Sequence, residues 1–193
     1  MITSFLNYRL LANFFNFVVE LKAIKRSGWI NKVGIKNAES VADHTYAMST
    51  MVMVFSDILG MKTERAMKMA ILHDLGESII GDYEPNEISS EEKRIKETEA
   101  FARILNHLPQ QTRTEYADIW KEYVENKTET SQLVHGVDRL EMAFQAKTYE
   151  NQGYRSSILQ QFFTYAADEE DGNDALLLLK RTKEAYFSVK NST

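Results

Sequence analysis

His73 and Asp74 stand side by side in the apolar run Ala70-Ile71-Leu72-His73-Asp74-Leu75-Gly76-Glu77, with Ala66 and Met69 ahead of them at helical spacing. An imidazole and a carboxylate set into an apolar segment carry a desolvation penalty that neither relieves alone. A divalent cation would compensate both. His44 and Asp138 offer two more ligands in similar settings. His44 is in register with Val41, Met48, Met51, Val52 and Phe55, and Asp138 with Val134 and Met142, so polar groups project from the apolar faces of three helices. Two imidazoles and two carboxylates make a nitrogen-oxygen site suited to one manganese, cobalt, iron, nickel or zinc ion, with magnesium less favoured. Each residue also has a plainer reading. A lone His on an apolar face is commonly a hydrogen-bonded core residue, and an Asp near a helix end commonly bonds backbone or pairs with a Lys. His107, beside Pro109, reads as a cation complementing a helix C-terminus, and His135 is kept outside the site.

Helices must position these groups. Residues 3–24 carry Phe5, Leu6, Leu10, Phe14, Phe17, Val18 and Leu21 at three- and four-residue steps, which predicts the first helix. A loop follows over 25–38, broken by Gly28 and Gly34. The second helix should start at Ser40, with Asp43 as a short-armed capping partner, and run to about Leu59 before Gly60. Thr63 is expected to cap the third, which carries His73-Asp74 and stops between Gly76 and Gly81. After a polar loop over 81–90, containing Asp82, Glu84 and Pro85, a helix should run from Ser89-Ser90 to His107. Further helices are expected near 110–126, 130–150, 156–167 and 173–190. No segment alternates with a period of two. One all-α domain spanning 1–193 is the parsimonious expectation.

Composition agrees. The 193 residues include only two prolines and eight glycines, a balance that favours helix over a turn-rich sheet. A formal net charge of −5 gives no global attraction to nucleic acid, so no nucleic-acid partner is expected. The absence of cysteine excludes disulfides and thiolate metal sites. Asn7, Arg9, Asn13, Asn16 and Glu20 interrupt the apolar N-terminus, and a membrane span needs roughly 20 mostly apolar residues. A soluble, cytoplasmic protein with no membrane partner is expected.

The order His44, His73-Asp74, Asp138 resembles the HD-domain metal-dependent phosphohydrolases. Glu39-Ser40-Val41-Ala42-Asp43-His44, Leu72-His73-Asp74-Leu75-Gly76-Glu77, Gly81-Asp82 and Asp138-Arg139-Leu140-Glu141-Met142 are similar to the branch that hydrolyses 5'-deoxynucleotides. The resemblance covers about residues 15–165. It implies a helical bundle around one divalent ion held by His44, His73, Asp74 and Asp138, with the C-terminal helices packed on it, and a homodimer. It also implies that Glu77, four residues after His73, is catalytic, that Arg26 binds the 5'-phosphate, that Trp29 packs near the sugar, and that Asp82 lies near sugar and phosphate. Ser27-Gly28 separate Arg26 from Trp29, whereas some members set the two side by side. Without the resemblance, Glu77 reads as a solvated helix-end carboxylate, Lys25-Arg26 as an exposed basic pair, Trp29 as a loop anchor and Asp82 as a loop cap.

The expected reaction is hydrolysis of a nucleoside 5'-monophosphate without a phosphoenzyme, because no Ser, Cys or His is placed as a covalent nucleophile. Three rivals stand beside it. A phosphohydrolase acting on a cyclic nucleotide, an alarmone or a triphosphate would need extra cations, for which Lys93, Arg94 and Lys96 offer a modest cluster. A two-iron HD-like oxidase would need more histidines than His107 and His135 supply. A non-catalytic helical module would have lost part of the ligand set. Phe162-Phe163 and Tyr165 are candidates for a dimer face.

Overall fold

Ser40 and Asp43 start the second helix as their spacing predicts. The Ser40 amide and hydroxyl donate to Asp43 Oδ2 at 2.8 and 2.7 Å, and the Asp43 amide donates to Ser40 Oγ at 3.1 Å. This reciprocal arrangement satisfies donors that a helix start otherwise leaves orphaned. The computed structural model describes residues 7–84, 87–165 and 173–188. Phe5, Leu6, Pro85 and the side chain of Tyr165 lie outside the described residues.

The fold is all-α. Helix α1 (Tyr8–Glu20) is capped by Asn7, whose side chain accepts from the amides of Arg9 and Leu10. A five-residue π-turn, Trp29–Val33, interrupts what sequence alone leaves as loop. Helices α2 (Val41–Ile58), α3 (Thr63–Leu72) and the four-residue α4 (Glu77–Ile80) follow. Next come α5 (Ser90–Leu105), α6 (Gln110–Glu125), α7 (Glu129–Asn151), α8 (Ser156–Tyr165) and α9 (Asp174–Ser188). Ser89 caps α5 by accepting from the Glu92 amide, and Thr128 with Ser131 forms a capping box on α7.

Two expectations about α3 need correction. Thr63 is not its cap, since the Arg65 and Ala66 amides donate to the Lys62 carbonyl, and the Thr63 hydroxyl donates to Asp57 Oδ1 at 2.5 Å instead. The helix also ends at Leu72, so His73 and Asp74 sit in the turn after it. There the amides of Leu75, Glu77 and Ser78 donate three residues back, to Leu72, Asp74 and Leu75. Three-residue bonding turns the chain more tightly than an α-helix and re-aims the side chains. Gly76 belongs to this turn because α5 presses on it. A Cβ there would stand 3.1 Å from the Glu97 carbonyl oxygen and 3.7 Å from Ala100 Cβ.

The chain divides into two compact units. Residues 1–46 and 71–124 form one, and 47–70 and 125–193 the other. In the first, α1, α4 and α5 pack on one another. Its buried residues include Phe14, Leu21, Ile35, Leu75, Phe101 and Trp120. The Phe101 and Trp120 rings stack at 4.7 Å, and the Trp120 indole donates to Thr98 Oγ1 at 3.3 Å. In the second, α7 packs on α8 and α9, and Val134, Val137, Ala143, Leu159 and Leu179 are buried. Phe163 belongs to that packing. Its ring meets Phe187 edge-on at 5.1 Å and its carbonyl accepts from Lys183 Nζ at 2.9 Å.

Candidate active site

Seven of the eight site residues singled out by sequence lie in the first unit. His44, one turn into α2, is fully buried, and His73 is 3% exposed. Their rings meet edge-on with centroids 5.5 Å apart. Asp74 Oδ2 lies 2.9 Å from His73 Nε2 and 3.9 Å from His44 Nε2, so three donor atoms of two imidazoles and a carboxylate share one small space. Nitrogen and carboxylate ligands sit about 2.0–2.2 Å from a transition-metal ion, which puts neighbouring ligands of an octahedral ion about 3 Å apart and opposite ones about 4.2 Å apart. The two measured separations fall within that span. The donor set and its spacing therefore fit a divalent ion.

Arg26 enters from the loop before the π-turn. Its guanidinium donates from NH1 to Asp74 Oδ2 at 3.2 Å and stands 3.9 Å from Asp82 Oδ1. The loop is held from across the sequence. Asp82 Oδ2 accepts from the Ser27 amide at 2.6 Å and from the Ser27 hydroxyl at 2.9 Å. Gly81, at φ +80°, turns the chain out of α4 so that Asp82 can do this, a backbone conformation that favours glycine. Glu84 adds a second strap, accepting from Asn31 Nδ2 at 2.5 Å and pairing with Lys32 Nζ at 3.7 Å. Asp82 thus fastens the arginine loop, while its other oxygen faces Arg26.

Trp29 anchors the same loop. It is 2% exposed, and its indole N–H donates to Glu39 Oε1 at 2.7 Å. The structure therefore gives it the loop-anchor role that its composition alone suggests. The tether ties the π-turn to the segment that opens α2 and carries His44.

Glu77 begins α4 and is 1% exposed, far from the solvated carboxylate a bare sequence reading suggests. Neither of its carboxylate oxygens has a hydrogen-bond partner among the described residues. Burial, reinforced by the negative charges of Asp74 and Asp82, pushes its carboxyl well above the usual range, against the pull of Arg26 and Lys93. Asp74 goes the opposite way. Burial opposes its charge, but His73, Arg26 and His44 together hold it well below the usual carboxylate range. Two carboxyls three residues apart are driven in opposite directions, one toward a charged acceptor and one toward a proton carrier, a division of roles found in hydrolytic sites.

Sequence reasoning missed part of this surrounding. Lys93 Nζ lies 3.8 Å from Glu77 Oε1 and 3.4 Å from Glu97 Oε1, and the Tyr123 ring stands 5.9 Å from that of His73. The available signal was register on α5, where Lys93 and Glu97 extend the line of Ala100, Phe101 and Ile104. The other members of the basic cluster turn elsewhere, Arg94 to Glu91 at 2.6 Å and Lys96 to Glu92 at 2.9 Å. Asp138 lies on α7 in the second unit, half-buried between the buried Val137 and Leu140. His107 packs its ring 5.5 Å from Phe17, in keeping with a structural role.

Residues 18–175 match the HD domain family. A 5'-deoxynucleotidase HDDC2 of Danio rerio is 37% identical over 175 residues, covering 90% of this chain and 86% of the relative. The protein of the same name from Dictyostelium discoideum is 38% identical over 161 residues, covering 78% and 84%. Among solved structures, a Pyrococcus horikoshii protein superposes with a TM-score of 0.68 at 30% identity, covering 88% of this chain and 98% of that one. A match over that span, with relatives this similar along most of their length, means that the chain belongs to the HD domain family.

Proposed function

We propose that this protein is a metal-dependent 5'-deoxynucleotidase that hydrolyses the phosphate from deoxynucleoside 5'-monophosphates. The observation that carries the reading is the Arg26 guanidinium held 3.2 Å from Asp74, beside the buried Glu77. A forked, permanently charged donor next to a His-His-Asp cluster matches a phosphate group bound at an ion. The relatives named 5'-deoxynucleotidase support the nucleotide assignment.

In this reading His44, His73 and Asp74 hold one divalent ion, and Asp138 completes the set through the resemblance in motif order. The two compact units would then be parts of one HD domain, which accords with a family match running through both. When bound, the ion supplies Lewis acidity to a phosphate oxygen and lowers the pKa of water. Arg26 offsets charge on the phosphoryl oxygens as the bond to the 5'-oxygen lengthens. Glu77, its carboxyl pushed above the usual range by burial and by Asp74 and Asp82, moves a proton between attacking water and leaving 5'-oxygen. Asp82 and Trp29 keep Arg26 in place from either side of its loop.

The same reading takes a nucleoside monophosphate as substrate, a cytoplasmic location and a homodimer. Among the described residues no helix is long and apolar enough to cross a membrane. Tyr8, Phe15, Val18 and Val19 of α1 are exposed and supply an apolar surface for a second copy. Because Arg94 and Lys96 pair at the surface, the extra cations a triphosphate would need reduce to Lys93.

The deciding experiment measures phosphate release from deoxy- and ribonucleoside monophosphates across manganese, cobalt, iron, nickel, zinc and magnesium, with EDTA as blank. Deoxynucleoside monophosphates should be preferred and EDTA should abolish release. Preference for a cyclic nucleotide, an alarmone or a triphosphate, or release that survives EDTA, would overturn the assignment.

A further inference from the structure

Helix α5 carries charge where its apolar face should continue. Ala100, Phe101 and Ile104 are buried along one side, and stepping back by three and four residues along that side leads to Glu97 and Lys93. Two features bring this pair onto Glu77. Ser89 starts the helix just ahead of Lys93, and Gly76 lets the α5 backbone approach until the Glu97 carbonyl is 3.1 Å from where a Cβ would sit. Lys93 Nζ then lies 3.8 Å from Glu77 Oε1, with Glu97 Oε1 3.4 Å away on its other side. Arg94 and Lys96, one and three residues on, find surface partners instead.

Glu77 needs something to fix its direction. It is buried, and neither carboxylate oxygen has a hydrogen-bond partner among the described residues. A carboxylate in this state is aimed by the charges around it, and in a low-dielectric setting those charges act strongly. We propose that Lys93 is a positioning residue for Glu77, its ammonium setting where the carboxylate points during turnover, with Glu97 tethering that ammonium from the far side. Lys93 acts through Glu77 and not on the nucleotide. The proposal rests on the hydrolase reading above.

The test is a cycle of Lys93→Met, Glu77→Gln and the double variant, with Lys93→Arg as rescue and Arg94→Met as control, all in the metal-loaded protein with a deoxynucleoside monophosphate. Lys93→Met should lower kcat by about tenfold or more with KM changed less than about twofold, the signature of an effect confined to the transition state. Lys93→Arg should restore most of kcat. The double variant should match Glu77→Gln within about twofold, because a residue acting through Glu77 has nothing left to act on. A raised KM with kcat unchanged, or multiplicative losses in the double variant, would overturn the proposal. Melting temperatures of the wild type, Lys93→Met, Glu77→Gln and the double variant read the pairing without substrate. Should the wild type release no phosphate, the hydrolase reading fails, and the melting cycle still decides: coupled shifts support the Lys93–Glu77 pairing and additive shifts refute it.

Discussion

Replacing Asp82 by alanine tests whether this carboxylate fastens the arginine loop or serves the nucleotide directly. Its Oδ2 accepts from both the amide and the hydroxyl of Ser27, at 2.6 and 2.9 Å, and the site is half-buried. Hydrogen bonds to a charged acceptor contribute about 1.5–3 kcal/mol each, and partial exposure lets water recover some of that, so the two together should be worth about 3 kcal/mol. The Arg26–Asp82 pair at 3.9 Å adds little beside them. Asp82→Ala should therefore destabilise the protein by about 3 kcal/mol, and Asp82→Asn, which retains one acceptor, by about half of that. Urea titration reads this as a shift in midpoint at constant slope. In the same variants KM should rise about tenfold for alanine, because Arg26 loses its fixed approach to phosphate. An alanine variant destabilised by less than about 1 kcal/mol with KM unchanged would refute the loop-fastening argument.

The pH dependence of stability offers an independent check on Glu77. Its folded pKa is raised by burial and by Asp74 and Asp82, so the folded state holds a proton that the unfolded state releases near the ordinary carboxylate value. That contribution is fully present below the unfolded pKa and is lost as pH rises through the folded one. Metal-free wild type should lose stability over that window in urea titrations, and Glu77→Gln should lose less, the remainder coming from Glu97, which burial also raises; parallel curves would contradict the assignment. His73→Ala and Asp74→Ala should each purify with much less divalent metal than wild type, measured by elemental analysis. Asp43→Ala removes the reciprocal cap of α2 and should cost about 1 kcal/mol in thermal or urea unfolding, leaving metal content unchanged.

The helices were legible because their signals are local. Ser40 with Asp43, and Ser89 ahead of Glu91 and Glu92, announce α2 and α5 within a few residues. The break at His73 was not legible. Apolar spacing through Ala66, Met69, Ala70 and Leu75 reads as one continuous helix, and the turn depends on Gly76 meeting α5. Lys93 was hidden for a similar reason, since Lys93–Glu97 at four-residue spacing looks like an ordinary surface pair until α4 is packed against it. Family resemblance supplied Glu77 and Arg26, but the burial of Glu77 and the bond from Arg26 to Asp74 are tertiary facts. Trp29 shows the limit from the other direction, because its indole is committed to Glu39.

The straps between the two loops have a consequence for how such a protein can change. Arg26 meets Asp74 across 48 positions of sequence, and Ser27 meets Asp82 across 55. Asn31 and Lys32 meet Glu84 at a comparable remove. The segment that presents the guanidinium is therefore not a cassette. Transplanting residues 25–38 from a relative with another preference would bring an arginine without its fastenings, unless positions 82 and 84 travelled with it. Variation in this corner should come in matched sets drawn from both loops, and a change of substrate should begin as a change in their shared seam.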